Sequence, residues 1–253
     1  MALFRVRLAV KSNKFLLPTL LTCFLSLYLY KSAAFIMEKR YVTTLSWALA
    51  GKTIVIDPGH GGEDPGALGT TGVHEKDIVL EVSKKLSAIL RQAGARVILT
   101  REDDRDLSEP GAKSQHQAKL QDLTRRVELA NRSHADIFIS IHVNSFPDPR
   151  EDGPQTFSQP GSAESKRLAV AIQRELNRYL ENPGREAKQV DYFTTRMTEM
   201  PSVIVEIGFI TNPREEKLLL DPVYQGKIAW AIYAGIARYF SLPKAACTDS
   251  KIT

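Results

Sequence analysis

Between residues 53 and 142, short β-branched runs alternate with stretches of helical periodicity, and few folds accommodate that order. Thr53 to Asp57 reads as a strand. Asp77 to Gln92 carries Ile78, Val79, Val82, Leu86, Ile89 and Leu90 at helical spacing, and Gly94 stops the helix. Arg96 to Thr100 is a second strand, Leu120 to Ser133 a second helix, and Asp136 to His142 a third strand in which Ile137, Ile139 and Ile141 interleave with Phe138 and Ser140. Such a strand, apolar on nearly every residue, belongs in a sheet covered on both faces. Further on, Pro154 to Gln159 and Val203 to Ile207 suggest strands, and Ser162 to Leu180 and Asp221 to Phe240 suggest helices. The expectation is an α/β domain with a mostly parallel sheet and helices on both faces.

The chain opens differently. Arg5, Arg7, Lys11 and Lys14 precede the sixteen apolar or small residues from Phe15 to Tyr30, the order of a basic n-region and a hydrophobic export segment. A spanning helix needs about 20 residues, which Ala33 to Met37 would supply while Lys31 snorkels. Ser32-Ala33-Ala34 equally suits a cleavage site, so a membrane anchor and a removed signal are both open. Either way the bulk of the chain lies outside the cytoplasm. The expected organisation is an anchor or signal over 1–36, a stalk over 37–51, a catalytic domain over 52–241 and a polar tail over 242–253. Without the four early cations the net charge of +5 falls to +1, too balanced for a phosphate backbone, so nucleic acid is excluded as a partner. Cys23 and Cys247 lie far apart and offer neither a disulfide framework nor a cysteine metal site.

Open α/β sheets place their chemistry in loops at the carboxyl ends of strands. The first strand runs into Asp57-Pro58-Gly59-His60-Gly61-Gly62, the third ends at His142, and Val203-Ile204-Val205 ends at Glu206; Glu75 stands just before the first long helix. Two histidines and a carboxylate form the usual open catalytic zinc set. Each residue has a plainer reading. His142 could be a hydrogen-bonded core residue, and Glu75 could serve its helix N-terminus. Glu206 needs a partner or a task, because burying a carboxylate after three apolar residues is costly. His74, His116 in a polar loop, and His134 after a helix end read as structural or solvated.

These stretches resemble the zinc-dependent N-acetylmuramoyl-L-alanine amidase family. The match runs through Asp57 to Gly62 with Asp64, Gly66 and Ala67, then Glu75-Lys76-Asp77, Ser140 to Ser145, and Glu206-Ile207-Gly208-Phe209 with Asn212. Thr100-Arg101, Arg126-Val127 and Ala130-Asn131 also fit, so the likeness covers roughly residues 52–240. It implies a single domain with about six strands, one Zn2+ held by His60, Glu75 and His142, and Glu206 as the catalytic carboxylate. Asn144 and Arg126, in matching stretches, are candidate substrate contacts. The implied reaction is hydrolysis of the amide between the lactyl group of N-acetylmuramic acid and L-alanine in peptidoglycan. Within the family the chain is most similar to the germination-specific, CwlD-type branch of spore formers, in its membrane-proximal N-terminus, the loop expected over Glu102 to Asp122, the segment Asn182 to Phe193 and Met200-Pro201. That branch implies work in the intermembrane space around the forespore, cortex bearing muramic lactam, and an activating sporulation protein as partner. Division-linked relatives carry a long helical insertion that covers the zinc; only Phe146 to Gly153 follows the His142 strand here, so self-inhibition of that kind is not expected. The rivals are another zinc peptidoglycan hydrolase, either peptidase or deacetylase, and a non-catalytic wall-binding module.

Overall fold

A computed structural model describes residues 19, 21–29, 47–112, 114–182 and 184–242. The chain divides into two compact units, residues 1–44 and 45–253. In the first, residues 21–29 are helical and exposed. No helix among the described residues is long and apolar enough to cross a membrane. Residues 15–18, 20 and 30 of the expected export segment, the basic residues before it and the tail from 243 onward lie outside the described residues.

The second unit contains β1 (Thr53–Pro58), α1 (Glu75–Gln92), β2 (Arg96–Leu99), α2 (Gln115–Arg132), β3 (Ile137–Asn144), β4 (Gln155–Ser158), α3 (Ala163–Tyr179), β5 (Lys188–Gln189), α4 (Phe193–Met197), β6 (Ser202–Phe209), α5 (Pro213–Leu219) and α6 (Pro222–Ser241). Six strands form one sheet in the order β2-β1-β3-β6-β4-β5. The pairs β2–β1, β1–β3 and β3–β6 are parallel; β4 runs antiparallel to β6 and parallel to β5. The mostly parallel sheet of about six strands is thus as expected.

Alternating residues of the strands feed two cores. Val55 and Phe138 pack with Ala130 and Ala135, and Leu129 of α2 closes over them. On α1 the buried Ile78, Val79, Val82, Leu86 and Leu90 form one stripe, and α1 and α3 both pack against α6. Gly235 of α6 meets α3 so closely that a Cβ there would stand 2.5 Å from Ile172 Cα. The unit begins before β1: Leu49 is fully buried, and the Gly51 amide donates to Gly94 O at 3.1 Å.

Three features differ from the sequence reading. Helix α2 starts at Gln115, because the Ser114 hydroxyl accepts the Gln117 amide at 3.2 Å and caps it. The loop expected through Asp122 therefore ends at Ser114, and His116 is helical. The short elements β5, α4 and α5 carry too few residues for a period to show in sequence.

Candidate metal centre

The chain leaves β1 toward β2 on one side and later enters β3 on the other, so a topological switch point falls between β1 and β3, where ligands bind in such sheets. His60 lies two residues beyond β1, and His142 sits in β3 directly opposite Glu206 of β6. Glu75 is the first residue of α1. Its carboxylate makes no bond within its own helix N-terminus. Oε2 accepts the Ala67 amide and Oε1 the Val143 amide, each at 2.9 Å. The capping alternative is thereby replaced by a carboxylate turned into the switch point.

There the three side chains meet. His60 Nε2 is 3.2 Å from Glu75 Oε2, and His142 Nδ1 is 3.0 Å from Glu75 Oε1. The imidazoles are nearly perpendicular, with centroids 4.9 Å apart. One ligand atom from each residue lies within 4.8 Å of the others. Glycines make the room: a Cβ on Gly59 would stand 2.6 Å from both ring nitrogens of His142, and one on Gly66 would stand 2.6 Å from Glu75 Oε2. His60 itself adopts φ of 60°, a left-handed conformation costing a non-glycine residue about 1–3 kcal/mol and found where surroundings enforce it.

The electrostatics favour a cation. Burial works against a charge on His60, but Asp64 and Glu75 outweigh it and raise its pKa to about 9. Burial likewise pushes Glu75 up, yet hydrogen bonds from His142 and His60 hold its carboxyl well below the usual range. A proton is thus stabilised where a metal ion would replace it. Asp64 Oδ2 lies 2.9 Å from His60 Nδ1, which leaves Nε2 facing inward, and Asp64 also pairs with Lys119. A carboxylate behind a histidine is the usual way to orient a metal ligand. Two imidazoles and one carboxylate with an open side fit zinc.

A cavity of about 310 Å³ opens beside the cluster, lined in part by His60, His142, Glu206, Lys119, Tyr192 and Phe193. Glu206 Oε2 is shielded from solvent and has no hydrogen-bond partner among the described residues. Burial raises its carboxyl to about 7, with His142 and His60 opposing the rise and Glu75 adding to it. A larger cleft of about 780 Å³ between residues 63–65 and 106–122 shares Lys119 with it.

His60, Glu75, His142 and Glu206 are therefore brought together. Asn144 ends β3, its Oδ1 accepting the Ser145 amide at 2.8 Å, and it is not among the side chains lining the cavity. Arg126 borders the cavity but is 1% exposed, with its guanidinium bonded to Asp57, Asp122 and two backbone carbonyls. His74 precedes α1 without capping it, His116 lies in the first turn of α2, and His134 follows α2. Sequence reasoning gave no role to Asp64, Lys119 or Tyr192. For Asp64 the signal was its place four residues after His60; Lys119 and Tyr192 carry none, being joined to the cavity only by the fold.

A strand-end cluster of this kind suits a metal-dependent hydrolase, and this chain belongs to the N-acetylmuramoyl-L-alanine amidase family, whose profile matches residues 54–238. It is similar to the germination-specific N-acetylmuramoyl-L-alanine amidase of Bacillus subtilis, 42% identical over 214 residues, spanning 82% of this chain and 90% of that one. Among solved structures it resembles the CwlD amidase of Clostridioides difficile, determined in complex with the GerS lipoprotein, at 43% identity and TM-score 0.74 over 76% of this chain and all of that one. It also resembles the amidase AmiC2 of Nostoc punctiforme, at 31% identity and TM-score 0.67, over 76% of this chain and 99% of that one. The protein is an enzyme that cleaves the amide between N-acetylmuramic acid and L-alanine, of the CwlD type.

Proposed function

We propose that zinc binds between His60, Glu75 and His142, and that Glu206 is the acid–base carboxylate of an amidase acting on spore cortex. The observation that carries the reading is the unpartnered Glu206 Oε2, which shares one cavity with the ligand cluster. When bound, the ion would supply polarisation of the scissile carbonyl and lower the pKa of water to about 7. The chain's own residues do the rest. Asp64 holds His60 with Nε2 inward, and the Ala67 and Val143 amides fix the Glu75 carboxylate. Glu206 takes the proton of the attacking water and returns it to the departing alanine amine; a carboxyl near neutrality can do both.

Glu206→Gln is expected to keep zinc and lose turnover, read as the absence of stem peptides beginning with L-alanine in mass spectra of digested peptidoglycan. A Gln variant that digests at the normal rate would overturn the role. Replacing His60 or His142 should abolish both zinc uptake and cutting.

The cortex assignment is supported by likeness to the germination-specific relative. A strain lacking this protein should make cortex without muramic lactam, and cortex that retains it would refute the assignment. The basic residues before Phe15 support export, with the catalytic unit outside the cytoplasm, either anchored by the N-terminal segment or secreted after its removal. A lipoprotein partner is proposed by analogy with the Clostridioides difficile complex. Digestion rates with and without the cognate lipoprotein would decide that point.

A further inference from the structure

Two arginines that the mechanism does not use lie directly beneath the cluster. Arg101 and Arg126 are each 1% exposed and are among the largest fully buried side chains described. Arg126 donates from Nη1 to Pro58 O at 2.7 Å and from Nη2 to His60 O at 2.6 Å. Arg101 donates from Nε to Pro58 O at 3.0 Å, and from Nη2 to Gly59 O at 2.8 Å and Lys76 O at 2.9 Å. Three consecutive carbonyls, 58 to 60, are thus all held by guanidinium groups. Arg101 also reaches the residue after Glu75, so it ties the His60 turn to the start of α1. Asp57 and Asp122 neutralise Arg126 from either side, at 2.8 and 2.9 Å. Without that compensation, a buried cation beside a metal site would repel the ion it helps to hold.

The arrangement fits a specific task. His60 has a left-handed backbone, unusual for a residue bearing a side chain, and its carbonyl is the one that Arg126 Nη2 holds. We propose that Arg126 and Arg101 are positioning residues for the metal ligands. Arg126 enforces the backbone conformation that aims the His60 imidazole at Glu75, and Arg101 sets the spacing between the His60 turn and Glu75. Neither contacts the metal. A lysine in either place keeps the charge but cannot hold several carbonyls in a planar fork.

The inference rests on the zinc reading above, and the test separates the two. Zinc affinity is measured by chelator competition on full-length wild type, Arg126→Lys, Arg101→Lys and the control Arg167→Lys. Arg167 is another buried guanidinium, bound to Tyr239 O and Glu164 on α3 and remote from the cluster. Roughly tenfold or greater weakening is expected for Arg126→Lys and Arg101→Lys, within the range found when residues behind a metal ligand are replaced. The visible bands of the cobalt-substituted protein should change with it, because ligand geometry is altered. Arg167→Lys should lower the melting temperature and leave affinity and bands unchanged. Should Arg126→Lys fail to fold, Arg101→Lys decides by the same readouts. Folded variants with zinc affinity within about twofold of wild type would overturn the inference. A wild type that takes up no zinc would instead overturn the metal reading itself.

Discussion

A single methyl group at position 59 is enough to test how closely the cluster is built. Gly59→Ala would place Cβ 2.6 Å from both ring nitrogens of His142, and the neighbouring carbonyls are pinned, so the imidazole must move. We expect zinc affinity and turnover to fall together by tenfold or more, on the order seen for misplaced catalytic groups, measured by chelator competition and product release. Asp57 allows a second test. Burial pushes its carboxyl up, but Arg126 together with hydrogen bonds from Thr100 and Ser140 more than offsets this and lowers its pKa. A lowered folded pKa contributes stability above the unfolded value of about 4, and that stability is lost as pH falls through the folded value. Asp57→Asn should therefore cost about 3–5 kcal/mol near neutrality, by leaving Arg126 half compensated. The gap to wild type should close as pH falls below about 4 through the lowered folded value, where the wild-type carboxyl also becomes neutral. Melting temperatures across that range check the sign. Position by position, the sequence singled out His60, His142 and Glu206 at strand ends, and Glu75 by its resemblance rather than by its place at a helix start; the fold brings all four together. It did not show what holds them. Arg126 reaches His60 O across 66 residues of chain, and no local spacing encodes such a bond.

Among the elements, helices α3 and α6 approach closely at Gly235. Gly235→Ala gains up to about 1 kcal/mol in helix propensity. The added Cβ meets backbone at Ile172 Cα, which cannot rotate away, so overpacking of about 1–3 kcal/mol should prevail. Thermal melts should show a loss, and a gain would mean that the two helices separate easily. The long helices and the strands β1, β3 and β6 were legible because each repeats its period over enough residues. The start of α2 was not, since Gln115, His116, Gln117 and Lys119 are polar and only the Ser114 cap marks the boundary. β4 reads as a strand, but its direction against β6 depends on pairing Gln155 with Glu206, which is a property of the sheet and not of either segment.

For the molecule as a whole, the buried Leu49 predicts where a stable catalytic fragment begins. A chain starting at residue 45 should melt roughly 5 °C or more above one starting at Lys52, since deleting a buried leucine costs about 2–5 kcal/mol. Equal melting temperatures would show that the turn before β1 contributes nothing. The strand order has a consequence for biosynthesis. β6 carries Glu206 and is inserted between β3 and β4, so the carboxylate proposed for acid–base work arrives only when the sheet is nearly complete. A chain still threading through a ribosome or an export channel has synthesised His60, Glu75 and His142 long before it can cut anything. On the proposed assignment, the fold keeps a partial chain without its acid–base carboxylate until β6 has been made.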